Sequence, residues 1–189
     1  MRTTGPGQSA LLLLDAIDCL KALRIPYAII GAVAASFHGV VRASLDADAL
    51  ISLPANHADV AALSAALQQA GLTSTYRRGD AHDPIGAVLS AEDRFHNRVD
   101  LLMGIRGMTE AVFARTMEAE FMKARIRVVG LEDFIAMKIL AGGPKDLSDV
   151  AGVLRVSFER LNRPLLNTLV QPYGKDAVRT LESLLRGRQ

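Results

Sequence analysis

Cysteine occurs once in the 189 residues, tryptophan is absent, and aromatic residues make up 5%. One cysteine, Cys19, excludes an internal disulfide, and its helical apolar surroundings fit a small buried hydrophobe better than a nucleophile. The histidines, His38, His57, His82 and His96, lack the close helical spacing of a zinc pair and have no cysteine partners, so no zinc site is expected. No long hydrophobic run is present: Asp15 and Asp18 interrupt the segment opened by Ala10–Leu14, which matches neither a membrane span nor a signal peptide. The expected location is cytoplasmic, with no membrane partner. A strong charge imbalance is also missing, since 22 basic against 20 acidic residues leave a net +2, which permits contact with a polyanion without requiring it. Arg77, Arg78, Arg94 and Arg98 are not set in an aromatic binding pattern and read as a solvated basic face. Internal repeats and low-complexity segments are absent as well.

Half of the residues are apolar, 22% are charged, and the mean hydropathy is positive. That composition excludes a disordered chain and supplies one sizeable core. Apolar residues at helical spacing predict a helix over 9–23, closed by Ile25-Pro26. Tyr27–Ile30 reads as a short buried strand, Gly31 as a turn, and 32–38 as a helix. Pro54 marks a loop before an Ala- and Leu-rich helix from His57 to Ala70, ended by Gly71. Strands are expected at 72–77, 85–89, 99–103 and 124–129, with an exposed loop at 78–84 and a helix at 109–116. Leu131–Leu140 forms a helix stopped by Gly142-Gly-Pro144, and further helices follow. The predicted fold is α/β: a small mixed β-sheet flanked by helices over 1–130, with a C-terminal helical portion over 131–189 packed on that core.

The segment Val41-Arg-Ala-Ser-Leu-Asp-Ala-Asp-Ala-Leu-Ile-Ser-Leu53 carries the most chemistry. Alternation along a strand places Asp46 and Asp48 on one face, with Cα atoms about 6.6 Å apart. A third acid, Asp100, lies in Phe95-His-Asn-Arg-Val-Asp-Leu-Leu-Met103, where a lone buried charge would be costly. Three carboxylates offer hard oxygen ligands suited to Mg²⁺, with Mn²⁺ able to replace it. Mg²⁺ sites of this kind are commonly completed by substrate phosphates, which points to a nucleotide.

Taken together, Tyr27-Ala-Ile-Ile-Gly-Ala32, Arg42-Ala-Ser-Leu-Asp-Ala-Asp48 and Val99-Asp100 resemble the polymerase-beta-type nucleotidyltransferase superfamily. The segment Leu131-Glu-Asp-Phe-Ile-Ala-Met-Lys-Ile-Leu-Ala-Gly-Gly-Pro-Lys-Asp-Leu-Ser-Asp149 is similar to the lysine-bearing helix and Lys-Asp motif of the AbiEii-like toxin group. The resemblance implies transfer of a nucleoside monophosphate from an NTP to an RNA (tRNA) or protein hydroxyl, with a cognate antitoxin as a further partner. In that scheme Asp46 and Asp48 hold the metal pair and Asp100 helps deprotonate the acceptor. Gly31 and Ala32 stand at the phosphate-approach turn, and Arg42 and Ser44 match a phosphate-contacting spacing. Lys138, Lys145 and Asp146 match the nucleotide-binding motif.

One departure and one shared feature keep other readings open. Ala32 stands where the superfamily has serine or glycine, so the chain also fits a nucleotide-binding or partner-regulating protein that has lost turnover. The same acids also serve small-molecule nucleotidyltransferases that modify antibiotic hydroxyls. Lys138 has a plain alternative role, its stem covering apolar surface, and Lys145 with Asp146 could form a surface pair or a helix start.

Overall fold

Alternation of apolar and polar residues builds the central sheet. In β5 (Arg98–Ile105), Val99, Leu101, Met103 and Ile105 are buried, while Arg98, Asp100, Leu102 and Gly104 occupy the other face. The computed structural model describes residues 1–53 and 57–187, and the loop expected at Pro54 lies outside them. Among the described residues the sheet has seven strands: β1 (Tyr27–Ile29), β2 (Asp46–Ile51), β3 (Thr73–Arg78), β4 (Ile85–Glu92), β5, β6 (Met117–Phe121) and β7 (Ala124–Val128). Their order is β3-β4-β5-β2-β1-β7-β6. β2 runs parallel to β5, and β1 parallel to β7, while the other neighbours are antiparallel. The mixed sheet flanked by helices agrees with the sequence reading.

Helices α1 (Ser9–Ala22) and α3 (His57–Gln69) pack against the β2, β5 and β3 side of the sheet. α1 buries Leu12, Leu13, Ala16, Ile17 and Leu20; of the apolar residues whose helical spacing predicts the helix, Leu12, Ala16 and Leu20 are buried, Cys19 is half-buried and Leu23 is exposed beyond its end. α2 (Gly31–Phe37) follows β1 directly and packs on β2. A single turn, α4 (Ala111–Ala114), stands where a helix over 109–116 was expected. After β7 come α5 (Leu131–Ala141), α6 (Pro144–Ser157), α7 (Arg163–Val170) and α8 (Lys175–Arg186). α5 ends at Gly142, whose φ of 65° closes the helix in the left-handed form. Residues of α5 to α8 belong to the same hydrophobic cluster as the strands.

β6 was not foreseen. Met117-Glu-Ala-Glu-Phe is made largely of good helix formers, and only its pairing with β7 makes it a strand. The connecting turn, Met122-Lys123, takes positive φ at both residues (49° and 65°), as a tight two-residue hairpin requires. It does so without the Gly or Asn that signals such turns.

Candidate active site

Parallel pairing of β2 with β5 decides the site. Asp48 lies opposite Asp100 and Asp46 opposite Arg98 in the register, so the three acids share one face on adjacent strands. One carboxylate oxygen from each of Asp46, Asp48 and Asp100 lies within 4.8 Å of the others. Hard oxygen donors converging in this way fit a divalent cation.

The electrostatics point the same way. Burial, reinforced by the neighbouring charges of Asp46 and Asp100, pushes the Asp48 carboxyl up to about 6, against the opposing pull of Lys138 and Arg42. Negative charge at the triad is therefore incompletely compensated by the protein, and a cation would relieve it. Ser44 donates its hydroxyl to Asp46 Oδ1 at 2.6 Å. Arg98 grips Asp100 with two parallel bonds, Nε to Oδ1 at 2.9 Å and a terminal nitrogen to Oδ2 at 3.0 Å. The solvated basic face expected for Arg98 gives way to this pairing; the i, i+2 spacing of Arg98 and Asp100 along a strand is the signal for it in the sequence.

Gly31 lies against Asp48. Its φ is +64°, and a Cβ there would overlap Asp48 Oδ2. The glycine is thus required by the carboxylate itself, whatever its part in phosphate approach. Ala32, next along α2, is buried.

A second cluster joins the loop before β2 to the C-terminal helices. Asp149 of α6, its side chain 3% exposed, receives Arg42 Nε at 3.0 Å and pairs with Lys138 Nζ, also at 3.0 Å. Lys138 in addition donates to Asp146 Oδ1 at 2.6 Å. Burial alone would raise the Asp149 carboxyl, but bonds from Arg42 and Lys138 outweigh it and hold the group below the usual carboxylate range. Sequence reasoning named Arg42, Lys138 and Asp146 but missed Asp149, the group that ties them together; its i, i+3 spacing from Asp146 was the only hint. Lys145 is exposed on α6 and stands outside this network.

Between the triad and α5 lies a cavity of about 210 Å³. Ile85, Leu102, Ile105, Met137 and Leu140 supply apolar walls, and Gly31, Asp48, Lys138 and Asp146 also line it. A cleft of about 410 Å³ lined by Lys21, Arg24, Glu118, Arg125 and Arg127 contains none of the three triad acids. His38 is buried, its Nε2 3.0 Å from the Val129 carbonyl and its ring against Phe134, so it packs rather than reacts. His96 is on the surface beside Glu92. Burial raises the Cys19 thiol, which agrees with the non-nucleophilic reading.

No protein family matches the chain by sequence profile, and no curated protein matches it. Solved structures do match in fold. The antibiotic-resistance factor ANT(2'')-Ia superposes in its solution structure with a TM-score of 0.59 at 14% identity, covering 94% of this chain and 95% of that one. Its crystal structure with adenylyl-2''-tobramycin gives 0.58 at 15% identity over 86% and 95%. An antigenic nucleotidyltransferase-like protein from Paracoccidioides brasiliensis gives 0.55 at 16% identity over 98% and 91%. The chain therefore has a nucleotidyltransferase-like fold.

Proposed function

We propose that this protein transfers a nucleoside monophosphate from an NTP to an acceptor hydroxyl, with Mg²⁺ as its metal and Mn²⁺ as a substitute. The observation that carries this reading is the convergence of Asp46, Asp48 and Asp100 on one face of two parallel strands, in a nucleotidyltransferase-like fold. Divalent ions held by such acids neutralise charge on the attacking and leaving oxygens of an in-line displacement. The apolar walls of the adjoining cavity suit a nucleobase, and Lys138, which lines the same cavity and is held by Asp146 and Asp149, keeps one ammonium donor for a phosphate oxygen. Arg42 and Asp149 hold Lys138 and α6 in place, while Asp100 takes the proton of the acceptor hydroxyl.

For the acceptor we propose an RNA, such as a tRNA 3′ end, or a protein hydroxyl, with the chain acting as the toxin of a toxin–antitoxin pair; the similarity of Leu131–Asp149 to the AbiEii-like motif supports this. A second reading, a small-molecule acceptor, is favoured by the near full-length likeness to ANT(2'')-Ia. Incubation with Mg²⁺, each labelled NTP and a panel of RNA, protein and aminoglycoside acceptors separates the two. Label transfer to one class, lost in Asp48→Ala, is the expected result. NTP binding without transfer to any acceptor would instead identify a nucleotide-binding protein that has lost turnover, the outcome that Ala32 makes worth testing.

A further inference from the structure

The acid triad is not alone on its face. Arg98 lies two residues before Asp100 on β5, with its Cα paired to that of Asp46 on β2, and the negative charge of Asp46 adds to the attraction that Asp100 exerts on the guanidinium. It bonds both oxygens of Asp100, at 2.9 and 3.0 Å, and a terminal nitrogen reaches Ser90 Oγ at 3.2 Å. Ser90 in turn lies opposite Asp100 on β4, so the guanidinium is anchored from the neighbouring strand. Geometry of this kind, a planar fork on a carboxylate, is the strong form of an ion pair and fixes the carboxylate's orientation. An arginine stays charged at any working pH, so this cation cannot leave by losing a proton. It can leave by swinging outward, since its side chain is 52% exposed while Asp100 is only 15% exposed.

We infer that Arg98 is a built-in counter-cation of the acid triad, holding Asp100 in the nucleotide-free protein and excluding a second divalent ion until nucleotide phosphates arrive to receive the guanidinium. The inference rests on the metal-site reading above and adds to it an order of events. The free protein binds one divalent ion through Asp46 and Asp48. Asp100 joins the site only when Arg98 is drawn away, and triphosphate oxygens are the partner whose charge and geometry match a guanidinium. Until then the proposed base is engaged at both oxygens and cannot accept a proton efficiently. Arg98 is a positioning residue, acting through Asp100.

Mn²⁺ titration followed by electron paramagnetic resonance, without nucleotide, tests this. The wild type is expected to bind one Mn²⁺, and a second only after a non-hydrolysable NTP analogue is added. Arg98→Ala is expected to bind two without nucleotide, the second at least tenfold tighter than in the wild type. Arg98→Lys, which cannot form the fork, should fall between. Arg77→Ala removes the same charge from the outer part of the sheet, where Arg77 faces Asp83, and should leave Mn²⁺ binding as in the wild type. Folding of each variant is checked by circular dichroism. Unchanged stoichiometry and affinity in folded Arg98→Ala, or weaker binding, would overturn the inference while leaving the metal site standing. Absence of Mn²⁺ binding in the wild type, indistinguishable from Asp48→Asn, would overturn both.

Discussion

Gly31 and Asp48 form the tightest constraint at the site. Gly31→Ala would place a methyl group onto Asp48 Oδ2 at a left-handed φ of 64°, so carboxylate or backbone must move. The expected cost is about 1–3 kcal/mol in urea unfolding, with weaker Mg²⁺ binding because Asp48 is displaced; a variant matching the wild type in both would remove this account of the glycine. Asp48 also sets a pH dependence. Its carboxyl titrates near 6 rather than at the ordinary 3.8, and protons compete with the metal for the same oxygens. Mg²⁺ affinity should therefore fall by about tenfold per unit as pH drops below 6. Calorimetry from pH 7.5 to 5 measures it, and constant affinity over that range would contradict the shift. At this scale the pairing of Asp46 with Asp48 was legible in the sequence, because period-two alternation places them together on any strand. Arg98's attachment to Asp100 follows the same rule, but in the sequence its charge fits a solvated face equally well.

Junctions between elements are secured by buried ion pairs. Arg115, just after α4, makes two 2.7 Å bonds to Asp133 in the first turn of α5. Asp133 is 1% exposed, so Arg115→Ala leaves a buried carboxylate without its partner and should cost about 3–5 kcal/mol. Adding Asp133→Asn should return part of that loss, and a double variant no more stable than the single would show that packing dominates. Arg42 and Asp149 join elements 107 residues apart in the chain. Arg42→Ala leaves Asp149 to Lys138 alone, and its expected signature is faster amide hydrogen exchange in the first turns of α6. Neither junction could be read from the sequence. Asp133 and Arg115 each fit a helix terminus, and nothing local says which basic residue meets which acid. β6 was hidden for a related reason: its residues favour a helix in isolation, and the strand exists through pairing with β7.

At the scale of the molecule, proton and metal linkage share one sign. Because the folded Asp48 holds its proton more tightly than the unfolded chain does, its contribution favours folding below about 3.8 and is lost as pH rises through about 6. A cation offsets that loss at neutral pH by stabilising the folded, ionised triad. Mg²⁺ at 100 times its dissociation constant should add about 2.7 kcal/mol to folding stability, read as a rise in Tm at pH 7.5. A paired Asp46→Asn/Asp48→Asn variant should show no such rise, and an equal rise in that variant would place the metal elsewhere. Among the described residues no helix is long and apolar enough to cross a membrane, in line with the interrupted apolar run near the N-terminus.

Local periodicity sufficed for the α/β class, for most strands and helices, and for the acids of Asp-x-Asp, because alternation and helical spacing act over a few residues. Tertiary structure alone decided that Asp100 meets that pair, through the parallel register of β2 with β5. It also made Asp149 the centre of the Arg42–Lys138 cluster and brought Arg98 onto Asp100. The physical reason is common to all three: ion pairs and shared metal ligands need their charged atoms within a few ångströms, and which groups come that close is set by strand register and helix docking rather than by neighbours along the chain.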